Sequence, residues 1–275
     1  MSNEPVKGPI FIGGAGRSGT SLLRVILDSH PNIMCGPEFK VLGEVTNLAS
    51  LMTSEALMPV MQAYQNTNDD VTGGIRTFID GLFAKSLAAS GKRRWAEKTP
   101  HNVLMMPRLA SVFPDAKFIH VIRDGRDVAC SLIGMDWGDP RTGQRVAYVQ
   151  NIANAAAYWN QVVRTGLRDA AHPRLAGRVM AVKYEALVSQ PESTLRGLMQ
   201  FLDEPWDDGL LAHQEQKHVH IPNESSTHQV TQPIYQSSQG RWKSQMSEQD
   251  RRDFVAAAGM LLTELGYVSD AWSWT

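Results

Sequence analysis

The 275 residues carry 27 Lys and Arg against 28 Asp and Glu, a net charge of −1 that gives no global pull toward nucleic acid or an anionic membrane. At 43% hydrophobic and 20% charged, the chain has the make-up of an ordinary soluble protein, long enough for one sizeable α/β domain over residues 1–275. Residues 1–8 show neither a hydrophobic signal core nor an amphipathic Arg-rich pattern, and no apolar run approaches the roughly 18 residues of a membrane span, so a cytoplasmic protein is expected. Cys35 and Cys130 are too few for a disulfide framework. Reduced thiols are expected, with a single bridge between them left open.

The first predicted element is a buried strand over Ile10 to Ile12, behind a flexible N-terminus of residues 1–8. It breaks into Gly13-Gly14-Ala15-Gly16-Arg17-Ser18-Gly19-Thr20-Ser21, whose glycines permit a tight turn, and Leu22, Leu23, Ile26 and Leu27 then repeat at helical spacing. Cys35 to Glu38 reads as a turn, and the Leu, Met and Ala content up to about residue 90 reads as helix. A second strand is expected at Arg94 to Glu97. Lys98-Thr99-Pro100 follows, with Pro100 in the first turn of a helix running to about Phe113. The third strand, Lys117 to Ile122, ends at Arg123-Asp124-Gly125-Arg126 and leads into a helix over Asp127 to Ile133. Helices around Ala153 to Val163 and over Pro191 to Leu202 flank a strand at Val179 to Lys183. The final helix covers about Glu248 to Leu265, and Gly266 stops it. Between them, residues 215–245 lose apolar periodicity and read as a long functional loop.

Alternating strands and helices predict a parallel sheet with helices on its faces, and such sheets bind ligands at the C-terminal edge of their strands. Arg17, Lys98 and Arg123 each fall at that edge, so a polyanion is expected there. Ser131, eight residues beyond Arg123, is placed to offer a hydroxyl to the same anion. The glycine loop would aim backbone N–H groups and a helix N-terminus at a phosphate. A triphosphate-binding P-loop needs Lys after its last Gly, to reach the β/γ-phosphates, and a hydroxyl for Mg²⁺; this chain has Thr20 after Gly19. A P-loop kinase or NTPase and a catalytically silent nucleotide-binding protein stand as alternative functions for such an edge. His218 and His220 lie in the polar loop with no Cys or carboxylate at ligand spacing, so no metal site is expected.

On these residues the chain resembles the sulfotransferases that depend on 3′-phosphoadenylyl sulfate (PAPS). Gly16-Arg17-Ser18-Gly19-Thr20-Ser21 is similar to their 5′-phosphosulfate loop, and Val121-Ile122-Arg123-Asp124-Gly125-Arg126-Asp127 through Ser131 to their 3′-phosphate motif. Within that superfamily the similarity is closest to the tyrosylprotein sulfotransferases. It runs from Gly13 to Glu38, through Lys98-x-Pro100, Phe113 to Phe118, Tyr184-Glu185-x-Leu187-Val188 and Ser226-Thr227-x-Gln229-Val230, to Leu265-Gly266-Tyr267. Residues 42–90 carry no motif of the family. The implied fold is α/β, a P-loop-like three-layer domain with a central, mostly parallel sheet flanked by helices. The implied co-substrate is PAPS, with the bisphosphate PAP as product and no metal.

The resemblance also implies roles, position by position. Glu38 is the base that deprotonates the acceptor hydroxyl, and Lys98 lies by the oxygen bridging sulfur and phosphorus. Arg17 and Ser226 serve the transferring group. Arg17, Ser18, Gly19, Thr20 and Ser21 form the phosphosulfate loop, and Arg123, Ser131 and Tyr184 serve the 3′-phosphate end. Ser226, Thr227, Gln229 and Val230 line the adenosine side under a lid formed by residues 215–245. Arg241 replaces a family Lys as a phosphate partner, and Met135 stands where the family has an Arg. The family's secreted members pair the Cys matching Cys35 with a second Cys, which here is Ala96.

Lys40 matches a family Arg near the acceptor, and His101 is the competing base at the substrate side. His30 reads as a cap or surface residue, and His120 as a packed core histidine. The expected partner is a hydroxyl-bearing acceptor, either a peptide tyrosine or a small alcohol, phenol or sugar, with a second copy of the chain as a further one. Nucleic acid is not an expected partner.

Overall fold

The computed structural model describes residues 7–139, 142–216, 218 and 230–269. Five strands, β1 (Ile10–Gly14), β2 (Ile33–Cys35), β3 (Arg94–Lys98), β4 (Lys117–Ile122) and β5 (Val179–Lys183), form one sheet in the order β2-β3-β1-β4-β5. Every pairing among them is parallel. The helices are α1 (Thr20–Asp28), α2 (Leu42–Met52), α3 (Met58–Ala63), α4 (Asn68–Ser90), α5 (Met106–Val112), α6 (Gly125–Ile133), α7 (Ile152–Ala170), α8 (Tyr184–Ser189), α9 (Pro191–Leu202), α10 (Trp242–Gln245) and α11 (Glu248–Glu264).

The layers follow from strand alternation. Ile10 and Ile12 of β1 face one side with Ile119 and Val121 of β4, and Leu23, Ile26 and Leu27 of α1 and Leu195, Leu198 and Leu202 of α9 cover them. Phe11 and Phe118 face the other side, against Leu109 of α5, Val162 of α7 and Leu261 of α11. Phe11 lies 5.5 Å from the rings of both Phe113 and Phe118 and 5.6 Å from Trp95. Full burial of such side chains contributes about 1.5–3 kcal/mol each, so the sheet is held from both faces and its C-terminal edge is a rigid platform.

Three readings of the sequence need correction. Strand β2 was not expected: it is only three residues, too short for alternation to show, and pairs with β3 at the sheet edge. The helix expected from Pro100 to Phe113 is broken into a 3₁₀ turn over Pro100–Leu104 and α5. Pro107 sits in the first turn of α5, where its missing N–H costs nothing, but in one continuous helix it would have left the Val103 carbonyl unbonded. His30 is fully buried, not at the surface; its Nδ1 accepts from the Asn32 N–H at 3.1 Å and its Nε2 lies 2.9 Å from the Pro205 carbonyl oxygen.

Cys35 and Cys130 are both free thiols, and Cys35 stands in register opposite Ala96, so no sulfur faces it across β2 and β3. His120 is a core histidine as expected, 1% exposed, its pKa lowered by burial to about 4.

Candidate active site

β1 is the middle strand. From it the chain steps to β2 and β3 on one side and then to β4 and β5 on the other, so the loop after β1 opens where the two halves of the sheet diverge. Gly19 ends that loop with φ 93°, a left-handed conformation that admits glycine readily, and it caps α1 with no side chain of its own over the helix N-terminus. A Cβ at Gly19 would lie 2.4 Å from the Tyr184 ring, so the loop rests directly on Tyr184. A cavity of about 810 Å³ opens above it.

At the end of the cavity nearest β3, Lys98 is fully buried, and its Nζ donates to Glu38 Oε1 at 2.5 Å and to Ser21 Oγ at 3.1 Å. Lys98 therefore lies beneath the cavity wall, while Glu38 and Ser21 line it. Lys40 lies outermost, with its Nζ 3.7 Å from Glu38 Oε2 and its backbone held at φ 57°.

The end nearest β4 is cationic. Arg17 donates through Nε to Ser131 Oγ at 2.9 Å, and Arg123 donates through Nη1 to the Arg17 carbonyl at 3.0 Å and through Nη2 to the Ser238 carbonyl. The Arg123 guanidinium lies 4.5 Å over the Tyr184 ring. Burial, and then the nearby positive charges of Arg123 and Arg241, lower the Arg17 pKa. Among the described residues, Nε of Arg123 and Nε of Arg241, both buried, have no hydrogen-bond partner. Buried donors without acceptors beside crowded cations are suited to a phosphate.

Most of the residues expected from the sequence are brought together here: Arg17, Gly19, Thr20, Ser21, Glu38, Lys40, His101, Arg123, Ser131, Tyr184, Val230 and Arg241 all line the cavity. Ser18 does not. It is fully buried within the loop, and its hydroxyl has no partner among the described residues. Ser226, Thr227 and Gln229 lie outside the described residues. The second half of the expected lid does reach the cavity, through Val230, Tyr235, Ser238 and Arg241. His101 is exposed at the rim, 3.4 Å from the Tyr158 hydroxyl through Nε2; desolvation of its ring lowers its pKa, against a smaller raising effect of Glu38.

Sequence reasoning missed the aromatic wall. Tyr148 and Tyr158 stack at 4.3 Å, Trp137 meets Tyr148 edge-on at 6.5 Å, and the Gly16 N–H donates to the Tyr158 hydroxyl at 3.0 Å. The aromatic content of α7 was the available signal, but only the fold turns Tyr158 toward the loop.

The structure also explains the shared motifs away from the cavity. Glu185 accepts from the Asp124 N–H at 2.8 Å and from the Tyr267 hydroxyl at 2.9 Å, tying α8 and the segment after α11 to the start of α6. Asp127 accepts from the N–H groups of Gly240 and Trp242, at 2.7 and 3.0 Å, and so fixes the turn that carries Arg241.

A parallel α/β sheet with a glycine loop at its switch point, three arginines lining the cavity above it and a Lys–Glu pair at its wall define a site suited to an anion. The profile of the Sulfotransferase family matches residues 9–208, and the chain belongs to that family. It is 32% identical over 266 residues to a protein-tyrosine sulfotransferase of Drosophila melanogaster and 32% identical over 275 residues to protein-tyrosine sulfotransferase A of Caenorhabditis elegans. These alignments cover 94% and 95% of the chain but 51% and 68% of the relatives, so the chain spans about half the length of the fly protein. Among solved structures, the sulfotransferase domain of the Synechococcus PCC 7002 olefin synthase has the same fold, with a TM-score of 0.63 at 21% identity over 94% of this chain and 97% of that one.

Proposed function

We propose that the chain transfers the sulfuryl group of PAPS to the hydroxyl of a peptide tyrosine by in-line displacement, with protein cations in place of a metal. The observation that carries this reading is the Lys98 ammonium, held between Glu38 and Ser21 at one end of a cavity whose other end holds Arg17, Arg123 and Arg241. A triphosphate site would instead put Lys after Gly19.

Glu38 takes the proton of the acceptor hydroxyl as that oxygen bonds to sulfur. The bond from sulfur to the bridging phosphate oxygen breaks, and its electron pair leaves with the phosphate. Lys98 stabilises the charge that grows there, a contribution larger in the transition state than in the ground state. Arg17 and the N-terminus of α1 hold the 5′-phosphate, and Arg123, Ser131 and Arg241 hold the 3′-phosphate. Ser226, Thr227 and Gln229 serve the transferring group and the adenosine. Trp137, Tyr148 and Tyr158 give the acceptor side an aromatic surface suited to a phenol ring, and the protein-tyrosine sulfotransferases of fly and worm support a tyrosine acceptor.

The test is transfer of labelled sulfuryl from PAPS, with EDTA present, to a tyrosine peptide and to pools of alcohols, phenols and sugars. Label in the peptide is the expected result. Label in none of the pools, with thermal stabilisation by Mg-ATP and not by adenosine 3′,5′-bisphosphate, would contradict the proposal.

A further inference from the structure

Glu97 precedes Lys98 on β3, and strand alternation sends the two side chains to opposite faces of the sheet. Lys98 grips the Glu38 carboxylate from one face. From the other, Glu97, 1% exposed, accepts the backbone N–H of Phe39 on Oε1 at 2.9 Å. The same Oε1 accepts the Thr99 hydroxyl at 2.6 Å, and Oε2 accepts Asn102 Nδ2 at 2.5 Å. Asn102 Nδ2 also reaches the Ile12 carbonyl at 3.2 Å, in the middle of β1. One buried carboxylate thus holds the turn beside Glu38 to the end of β3 and, through Asn102, to the middle of β1.

We infer that Glu97 is a positioning residue for the proposed sulfuryl transfer: it holds the backbone beside Glu38 so that the Glu38 carboxylate meets Lys98. The inference rests on that functional reading. Residues 36–41 form neither helix nor strand, and Lys40 there sits at φ 57°. The Phe39 ring packs 5.1 Å from Phe83, which stacks on Trp95 at 4.4 Å. Ring contacts of this kind are not directional and allow sliding, whereas the hydrogen bond from Phe39 to Glu97 fixes distance and direction. Only a carboxylate accepts at both oxygens without presenting a donor; Gln at position 97 would set an NH₂ against the NH₂ of Asn102. Burial raises the Glu97 pKa, opposed by the bonds from Asn102, Thr99 and Phe39 and by the charge of Lys98.

The test compares wild type, Glu97→Ala, Glu97→Gln, Glu38→Gln and the Glu38→Gln/Glu97→Ala double variant. In Glu97→Ala, amide exchange at Phe39 is expected to rise about tenfold or more while exchange in β4 is unchanged. A displaced base costs kcat about a hundredfold, with KM for the peptide and Kd for adenosine 3′,5′-bisphosphate within about twofold of wild type. Glu97→Gln keeps one oxygen for Phe39 and recovers part of the loss. Because Glu97 acts through Glu38, the double variant is expected to be no slower than Glu38→Gln alone, within about threefold. Losses that multiply, or unchanged Phe39 exchange, would overturn the inference. If Glu97→Ala does not fold, Glu97→Met, which keeps most of the side-chain volume and removes both acceptors, takes its place in every comparison. Absence of transfer by wild type would contradict the functional reading instead, and the exchange measurement would still decide whether Glu97 holds Phe39.

Discussion

The two ends of the cavity are built on opposite electrostatic plans. Around β3 the charges are compensated within the protein, with Lys98 between Glu38 and Ser21 and Glu97 behind them. Around β4 positive charge is in excess: Arg17, Arg123 and Arg241 crowd one another closely enough to lower the Arg17 pKa after burial has done so, and the nearby carboxylate, Asp127, accepts backbone N–H groups and lies 3.9 Å from Arg123. A compensated pair can exchange a proton and stabilise charge as it develops without binding an anion tightly in the ground state. A cluster with positive charge in excess does the reverse. On the proposed function, chemistry belongs to the β3 end and nucleotide affinity to the β4 end.

Removing the proposed base breaks the β3 end most severely. Glu38→Gln is expected to lower kcat by about 10²- to 10⁴-fold, with the affinity for adenosine 3′,5′-bisphosphate nearly unchanged, as measured by single-turnover transfer and by titration calorimetry. Arg123→Ala breaks the other end. Loss of charge-assisted bonds worth about 1.5–3 kcal/mol should weaken bisphosphate binding roughly 10- to 150-fold, with kcat at saturation little affected.

His120 separates stability from both. Its pKa is lowered by burial from an ordinary 6.5 to about 4, so the unfolded chain takes up a proton below pH 6.5 that the folded chain refuses until about pH 4. Stability contributed by the neutral ring is therefore present above pH 6.5 and lost as pH falls toward 4. Between pH 7 and 4.5 wild type should lose about 2 kcal/mol more than His120→Gln in urea unfolding. The smallest effect is expected of Lys40→Ala. Lys40 is exposed and 3.7 Å from Glu38, a pair worth about 0–1 kcal/mol, so only KM for acidic peptides should rise, read by comparing neutral and acidic tyrosine peptides.

What was legible in the sequence was local. The glycine loop, the cations at strand ends and Ser131 all lie within one or two turns of a strong strand or helix signal, and the fold brings them to one cavity. Glu38 was legible only through the family motif, since a Glu after Gly36-Pro37 has no local mark of function. Trp137 and Tyr148 lie between α6 and α7, where no periodicity points at the glycine loop. Glu97 was read merely as the last residue of a strand; its role depends on Phe39 and Asn102 arriving from two other segments. Local patterns name the elements, and long-range hydrogen bonds bring Glu38 to Lys98 and Glu97 to Phe39.

The most direct test of the division between the two ends is to measure kcat for sulfuryl transfer and Kd for adenosine 3′,5′-bisphosphate on Glu38→Gln and Arg123→Ala side by side. The expected result is a crossed pattern, with Glu38→Gln losing turnover and keeping affinity, and Arg123→Ala losing affinity and keeping turnover at saturation. Parallel losses of both quantities in both variants would contradict it.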